Sequence, residues 1–273
     1  MIYKQNLHTH CVYCDGKNTP EELVEHAIKL GFESLGFSSH SFMKFSPYPS
    51  LAGPLKGEYR KKIAEMKEKY KDKLQIFYGL EFEMCSDVEE LNDNFDYVIA
   101  SMHYFKLDTG HWGFDGKPEA AIRVMNECFG GDGLKMAKAY YETYATIPKL
   151  GKFDIVGHFD LIAKHSDFYD YVDVNAPEYK SAAIDCIREL VKHIPVFEVN
   201  MGGIPRGYRK TPYLAPFMIK EIHRLGGGVV ISSDCHDKNL LNYGFDDAVE
   251  YVRSCGVDEV LVFDGKEFKG QKI

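Results

Sequence analysis

The sequence lacks the features of membrane-spanning and nucleic-acid-tracking proteins. It has no apolar run approaching the roughly 18 residues that a bilayer-spanning helix needs, and its first residues, MIYKQNLHTH, resemble neither a signal peptide nor a transit peptide. Basic residues are not in excess, because 33 Lys and Arg face 41 Asp and Glu for a formal net charge of -8. That balance argues against a broad basic surface for nucleic acid. We therefore expect a cytoplasmic protein with neither membrane nor nucleic acid as its partner.

A second CxxC motif is also missing. The chain has seven cysteines, an odd number that suits a reducing compartment better than a disulfide framework. Cys11-x-x-Cys14 alone cannot complete a four-thiolate zinc site. We interpret this motif as incidental.

What the sequence does contain is a regular alternation of strand-like and helix-like segments. The predicted strands are 2–10, 32–38, 75–80, 97–101, 153–156, 196–199, 228–232 and a last short one at 260–263. The predicted helices are 20–30, 58–70, 119–128, 134 to about 150, 177–193, 212–225 and 246–254. This order predicts an α/β protein with a parallel sheet and crossover helices. With 273 residues, 45% of them hydrophobic, a single domain over 1–273 is the default.

The segment at about 104–151 interrupts the alternation. It has an aromatic-rich stretch around Trp112 that we expect to be a loop, followed by two helices. We predict an insertion that forms a lid over one face of the fold.

Potential metal ligands follow the predicted strands. His8 and His10 lie two residues apart in the first strand, so their side chains share one face about 7 Å apart and can bind one ion. The pair is a weak signal alone, because the chain has 11 histidines. The set from all the strand ends is His8, His10, Asp15, His40, Glu81, His103, His158, Asp234 and His236.

Candidate ligands at the ends of so many strands indicate a barrel. A doubly wound open sheet concentrates its site at one switch point, whereas in a (β/α) barrel the ends of all strands meet at one rim. We predict a barrel of seven or eight strands. The weaker alternative is two domains divided near residue 150, but ligand types fall on both sides of that point.

Imidazole together with carboxylate suits zinc, manganese or iron. Nine ligands are too many for one ion, so we predict two to three divalent transition metal ions. Three such ions beside three carboxylates keep a charge of about +3, enough to attract a phosphate.

Some of these residues have other interpretations. Asp15 lies in a Cys-Asp-Gly turn, where aspartate is common for backbone reasons, and Glu83 could replace Glu81. The other histidines are expected to lie outside the site, although two of them, His111 and His165, could reach the rim. The three expected in helices are His26, His193 and His223.

Six motifs in order resemble one family. HTH after the first strand, a histidine after the second, then GLE, SMH, GHFD and SDCH are similar to the PHP (polymerase and histidinol phosphatase) superfamily. The length, the insertion and the pieces GHFDLI and NMGG resemble its stand-alone histidinol-phosphate phosphatases. The resemblance implies a distorted TIM-like (β/α)7 barrel of the PHP type with a trinuclear metal site. It also implies hydrolysis of L-histidinol phosphate to L-histidinol and phosphate in histidine biosynthesis.

The resemblance further implies how the ligands are shared. His8, His10, Glu81 and Asp234 would hold the first ion, Asp15, His40 and His236 the second, and Glu81, His103 and His158 the third. Some members have histidine where this chain has Asp15, which leaves the identity of the second ion open, since carboxylate favours harder metals.

The expected reaction is in-line attack on phosphorus by a metal-bridging hydroxide, with Glu81, Asp234 and Arg206 as catalytic residues. Arg206 is the first candidate for binding the phosphate ester because its guanidinium matches a phosphate edge. Lys164 is the second, without that bidentate geometry. For the proton of the leaving group, Asp160, Asp234 and a metal-bound water remain open.

The leaving group should meet a carboxylate and an aromatic wall. Candidates are Trp112, Phe114, Asp115, Glu198 and Tyr208. Two other functions stay open: a phosphoesterase for another small phosphate ester or a nucleotide, and a non-catalytic metal-binding accessory domain.

Overall fold

The computed structural model describes residues 2–273, so Met1 of the predicted domain lies outside it. Its strands are β1 (Gln5–Asn6), β2 (Ser34–Phe37), β3 (Gln75–Glu83), β4 (Tyr97–Ser101), β5 (Tyr104–Leu107), β6 (Gly110–Gly113), β7 (Ile155–Val156), β8 (Val196–Asn200), β9 (Gly228–Ser232), β10 (Glu259–Phe263) and β11 (Phe268–Lys272). Its helices are α1 (Pro20–Leu30), α2 (Leu55–Tyr70), α3 (Pro118–Phe129), α4 (Gly133–Tyr144), α5 (Pro177–Leu190), α6 (Pro216–Arg224) and α7 (Phe245–Ser254).

Seven strands form one parallel sheet in the order β1-β2-β3-β4-β7-β8-β9. The sheet nearly closes on itself through a parallel bridge between Thr9 and Cys235, where the His10 amide donates to the Cys235 carbonyl at 2.8 Å. Helices surround the strands, and apolar side chains from strands and helices form the main core. The predicted seven-stranded α/β barrel is confirmed.

Short sequence signals predicted the bounds of several helices and strands closely. Thr19 caps α1 by accepting from the Glu22 amide at 3.3 Å, and the Glu22 carboxylate accepts from the Thr19 amide at 3.0 Å, as a capping box requires. The helix ends at Gly31, whose φ of 78° is favourable for glycine. β4 and β9 have the predicted bounds. β1 is shorter than the predicted strand, since only Gln5 and Asn6 pair along it.

The aromatic-rich stretch of the insertion is a hairpin, so the predicted loop is wrong. β5 and β6 pair antiparallel and bring Phe105 opposite Trp112. α3 and α4 follow, and α4 ends at Tyr144, earlier than the predicted residue 150. The lid role of this segment stays a prediction.

A second hairpin, β10–β11, lies at the other end of the barrel, and its second strand was not predicted. Gln5 exchanges two hydrogen bonds of 2.8 Å with the backbone of Phe263, and the Phe263 ring packs 5.0 Å from Phe77. The hairpin thus helps to fill the bottom of the barrel, opposite the strand ends that carry the candidate ligands. No helix among residues 2–273 combines the length and apolar character needed to cross a membrane.

Tyr97 of β4 fills the space beside Gly36 of β2 and Gly79 of β3. Its hydroxyl donates to the Leu7 carbonyl, and a Cβ at Gly36 or Gly79 would overlap its ring. The side chain is 1% exposed, so it has little room to move away.

We expect Gly79→Ala to lower the free energy of unfolding by about 1–3 kcal/mol, because the added methyl overpacks the core against Tyr97. Urea denaturation measures the change. The matched control is Gly57→Ala in α2, where a Cβ meets nothing within 4 Å. That change should raise stability by about 0.5–1 kcal/mol, the usual gain for alanine in a helix. Equal effects of the two substitutions would contradict the packing argument.

Candidate metal centre

All nine predicted ligands meet at one rim of the barrel. Every member of the set lies in at least one group whose ligand atoms are all within 4.8 Å of one another. The groups are His10, Asp15, His40 and His236; His8, His158 and Asp234; His8, His10 and Glu81; and Glu81, His103 and His158. They converge because the parallel strands end at the same rim.

Glu81 lies at the centre of the cluster. Its Oε2 atom is 2.8 Å from His40 Nδ1, 3.3 Å from His8 Nε2 and 3.4 Å from His10 Nε2. Its Oε1 atom is 2.9 Å from His158 Nε2 and 3.5 Å from His103 Nε2. One buried carboxylate therefore contacts five imidazoles, which is the arrangement that a ligand shared between ions requires.

Two histidines of the cluster each lie close to the same two carboxylates. His8 Nε2 and His10 Nε2 are each 3.3–3.6 Å from Glu81 Oε2 and from Asp234 Oδ1. Three of the atoms, His8 Nε2, His10 Nε2 and Glu81 Oε2, are buried without a hydrogen-bond partner in the described chain. Such atoms are costly unless something binds them, so these residues fit a divalent ion.

Asp15 joins a second group at the outer side of the rim. Its Oδ1 atom is 3.5 Å from His40 Nε2 and its Oδ2 atom 3.0 Å from His236 Nε2. Oδ1 is also buried without a hydrogen-bond partner among residues 2–273. The position of Asp15 therefore fits a ligand rather than a turn residue alone.

Neighbouring cationic side chains stabilise the charged form of the buried carboxylates. Burial opposes the charged form of Glu81, but His40 and His8 hold its pKa well below the usual value. Burial likewise opposes the charge of Asp234, yet Arg206 and His8 keep its pKa well below normal. Burial and the neighbouring His236 and His40 lower the pKa of His10 to about 3, so its imidazole is neutral and has a lone pair for a metal.

Two further carboxylates, Glu83 and Glu198, contact the Nδ1 atoms of His103 and His8, on the side of each ring away from the candidate metal-binding nitrogen. Glu83 Oε2 accepts from the His103 amide at 2.7 Å and lies 2.9 Å from its Nδ1 atom, which turns Nε2 towards Glu81. Glu198 Oε1 is 2.7 Å from His8 Nδ1, and its Oε2 accepts from the His158 amide at 2.9 Å. Carboxylates in this position fix the tautomer and orientation of metal-binding imidazoles. Neither role was predicted from the sequence, although the Glu-x-Glu spacing of β3 was a signal for one of them.

Cys14 also contacts the cluster, with its Sγ atom 3.4 Å from His10 Nδ1. All seven cysteines are free. The CxxC motif is thus not a disulfide, and within the described chain neither of its cysteines belongs to a group of potential metal ligands.

Hydrogen bonds hold the Arg206 side chain next to the cluster. Its Nε donates to the Gly202 carbonyl at 2.7 Å and its Nη2 to Asp234 Oδ2 at 2.9 Å. Lys164 forms an ion pair with Asp115 and lies 4.4 Å from the centre of the Tyr208 ring. Both cations line a cavity of about 230 Å³ that opens onto Glu81 and Asp234.

Several other expectations are corrected. Asp160 accepts two bonds of 3.0 Å from Arg209 and one of 2.7 Å from the Leu214 amide. Both of its oxygens are therefore occupied away from the cavity, so it is not placed to protonate a leaving group. Asp115 and Tyr208 line the cavity as expected for the leaving-group wall, but Trp112, Phe114 and Glu198 are not in its lining.

None of the other five histidines belongs to a group of potential metal ligands among residues 2–273. His111 stacks on Phe45 at 3.7 Å between ring centres, away from the cluster. His165 Nε2 is 2.8 Å from the Gly116 carbonyl. Neither reaches the rim ligands.

Comparisons with known proteins agree on one family. The PHP domain family matches residues 6–201. A protein of Deinococcus radiodurans named "Probable histidinol-phosphatase" is 27% identical over 259 residues, covering 91% of this chain and 92% of that protein. The histidinol-phosphatase of Bacillus subtilis is 24% identical, covering 91% of this chain and 99% of that enzyme.

A solved structure supports the fold. The histidinol phosphate phosphatase of Lactococcus lactis, crystallised with zinc, L-histidinol and phosphate, has a TM-score of 0.71 to this chain at 20% identity. The match covers 98% of this chain and 100% of that one. At this identity the likeness shows a shared barrel architecture.

Proposed function

The chain belongs to the PHP domain family, and on that premise we propose that it is a metal-dependent phosphomonoesterase that hydrolyses L-histidinol phosphate to L-histidinol and phosphate. The observation that carries this proposal is the position of Glu81, whose two oxygens face five imidazoles at the base of one cavity. The named activity of the curated relatives supports the substrate.

We assign the ligands to ions as follows. His8, His10, Glu81 and Asp234 would hold one ion, since each of these histidines lies 3.3–3.6 Å from both carboxylates. Asp15, His40 and His236 would hold a second ion, and Glu81, His103 and His158 a third. Zinc, manganese and iron all suit this donor set. When bound, such ions supply Lewis acidity towards phosphoryl oxygens and make coordinated water acidic.

The chain's own cations complete the phosphate site. Arg206 lines the cavity and is held by Gly202 and Asp234 through Nε and Nη2, which leaves its other terminal nitrogen available to an anion. Lys164 lies on the same wall. A guanidinium whose orientation is already fixed loses little freedom when it binds an anion. Arg206 and Lys164 thus bind and orient the ester, while Asp234 both ligates metal and holds Arg206.

The size of the cavity favours a small ester. Its volume of about 230 Å³ is below the roughly 300–1,000 Å³ of pockets for drug-sized ligands. The net charge of -8 also disfavours a polyanionic substrate. A compact phosphate monoester suits the site better than an oligonucleotide.

The test is phosphate release by the metal-loaded enzyme from a panel of esters. We expect kcat/KM for L-histidinol phosphate to exceed that for phosphoserine, a nucleoside monophosphate and a 5′-phosphorylated oligonucleotide by about 100-fold or more. Equal slow release from all four would refute the substrate assignment. No release from any ester by a protein that holds its metals would favour the accessory-domain interpretation.

A further inference from the structure

One ion pair in the cavity has no role in binding metal. Lys164 follows β7 and Asp115 follows the β5–β6 hairpin, and their side chains pair across the cavity wall. The Lys164 side chain is 11% exposed and that of Asp115 25% exposed. Both residues line the cavity, and neither belongs to a group of potential metal ligands within residues 2–273.

The surroundings leave Asp115 free to bind another cation. Lys164 contacts only one of its carboxylate oxygens, and the other accepts no hydrogen bond within the described chain. Tyr208 lies between the two cations of the site, with its ring centre 4.4 Å from Lys164 Nζ and 5.9 Å from Arg206 Cζ. The wall therefore presents two cations for an anion and one adjoining carboxylate.

This charge pattern discriminates between two kinds of ester. A phosphate ester without a positive charge would draw Lys164 towards its oxygens and leave Asp115 unpaired in a largely enclosed site, which is costly. An ester with an ammonium group near the phosphate would give Asp115 a new partner while Lys164 turns to the phosphate. The number of ion pairs is then preserved.

We propose that Asp115 is a specificity-determining residue that binds an ammonium group on the leaving alcohol, and that the Asp115–Lys164 pair exchanges partners when such an ester binds. This inference rests on the proposed function and assigns the residue that would recognise the amine of its substrate. Tyr48 and Tyr104, which line the same cavity, provide an aromatic surface beside that charge for the rest of the alcohol.

The test compares two esters that differ only in the amine. Steady-state kcat/KM is measured for L-histidinol phosphate and for 3-(imidazol-4-yl)propyl phosphate, with the wild type and with Asp115→Asn. The wild type should prefer the amino ester by about 30-fold or more, and the variant should show a preference of about threefold or less. The loss should fall on the amino ester, because Lys164 remains available to the phosphate of both.

The control is Asp108→Asn, an exposed carboxylate in the turn of the same hairpin, which should keep the wild-type preference. Metal content and melting temperature show whether Asp115→Asn remains intact. Independently of any variant, L-histidinol should inhibit the wild type about tenfold more strongly than its desamino alcohol.

An undiminished preference in Asp115→Asn, or equal inhibition by the two alcohols, would overturn the inference while leaving the proposed function in place. Hydrolysis of neither ester by the metal-loaded wild type would instead refute the proposed function, and this inference with it.

Discussion

Replacing Glu81 with glutamine is expected to lower kcat/KM by at least about a thousandfold and to remove more than one ion from the protein. The amide keeps the shape of the side chain but loses the charge, and its nitrogen cannot coordinate a metal ion. Glu81 belongs to two of the groups of potential ligands, and its two oxygens contact five imidazoles. Phosphate release and elemental analysis of the purified variant measure the two effects.

The matched control lies two residues away on the same strand. In Glu83→Gln the side chain can still hydrogen-bond to His103, but without the carboxylate charge it holds the imidazole less firmly. Glu83 contacts that histidine and none of the other imidazoles at the rim. We expect a loss of about 10–100-fold, with metal loss confined to the His103 group. If Glu81→Gln keeps activity within tenfold of the wild type, or if both variants lose the same amount, Glu81 is not the shared ligand.

Removing the metals with a chelator is expected to abolish phosphate release and to lower the melting temperature by about 10 °C. The buried, unpartnered atoms of His8, His10 and Glu81 gain their partners from the ions, so binding energy contributes to the stability of the folded chain. An ion present at about 1,000 times its dissociation constant adds about 4 kcal/mol, and each kcal/mol corresponds to about 2–4 °C for a chain of this size.

Calorimetry with and without chelator measures the shift, and addition of zinc, manganese or iron should reverse it. The control is the Glu81→Gln variant, which should respond much less because it has fewer ions to lose. A melting temperature and an activity that do not change on verified removal of all metal would contradict a metal centre at this rim. An equal shift in the control would show that the chelator acts elsewhere.

Sequence patterns that span only a few residues predicted much of this fold. Thr19 and Glu22 form the capping box of α1, and Gly31 ends it, because each of these contacts spans a few residues. The nine candidate ligands, which the structure brings together, were predicted from their positions after apolar runs, since the ends of parallel strands must share one rim. The resemblance to a family then suggested how they are divided among ions, which residue spacing alone left open.

The partners of the other charged residues could not be predicted from the sequence, because they come from distant parts of the chain. Glu83 and Glu81 have the same residue type and adjoining places on β3, yet one orients His103 and the other lies at the centre of the cluster. The pairing of Asp160 with Arg209 removed one candidate acid.

By itself, then, the sequence determined the order of the barrel strands and their helices, the capping of α1 and the list of candidate metal ligands, because backbone hydrogen bonding and side-chain periodicity act over a few residues. The tertiary structure alone decided that β5 pairs with β6 and β10 with β11, and that Lys164 faces Asp115. The reason is physical: a charge or a strand edge takes whichever partner the packed chain brings within reach, and for Lys164 that partner is 49 residues away.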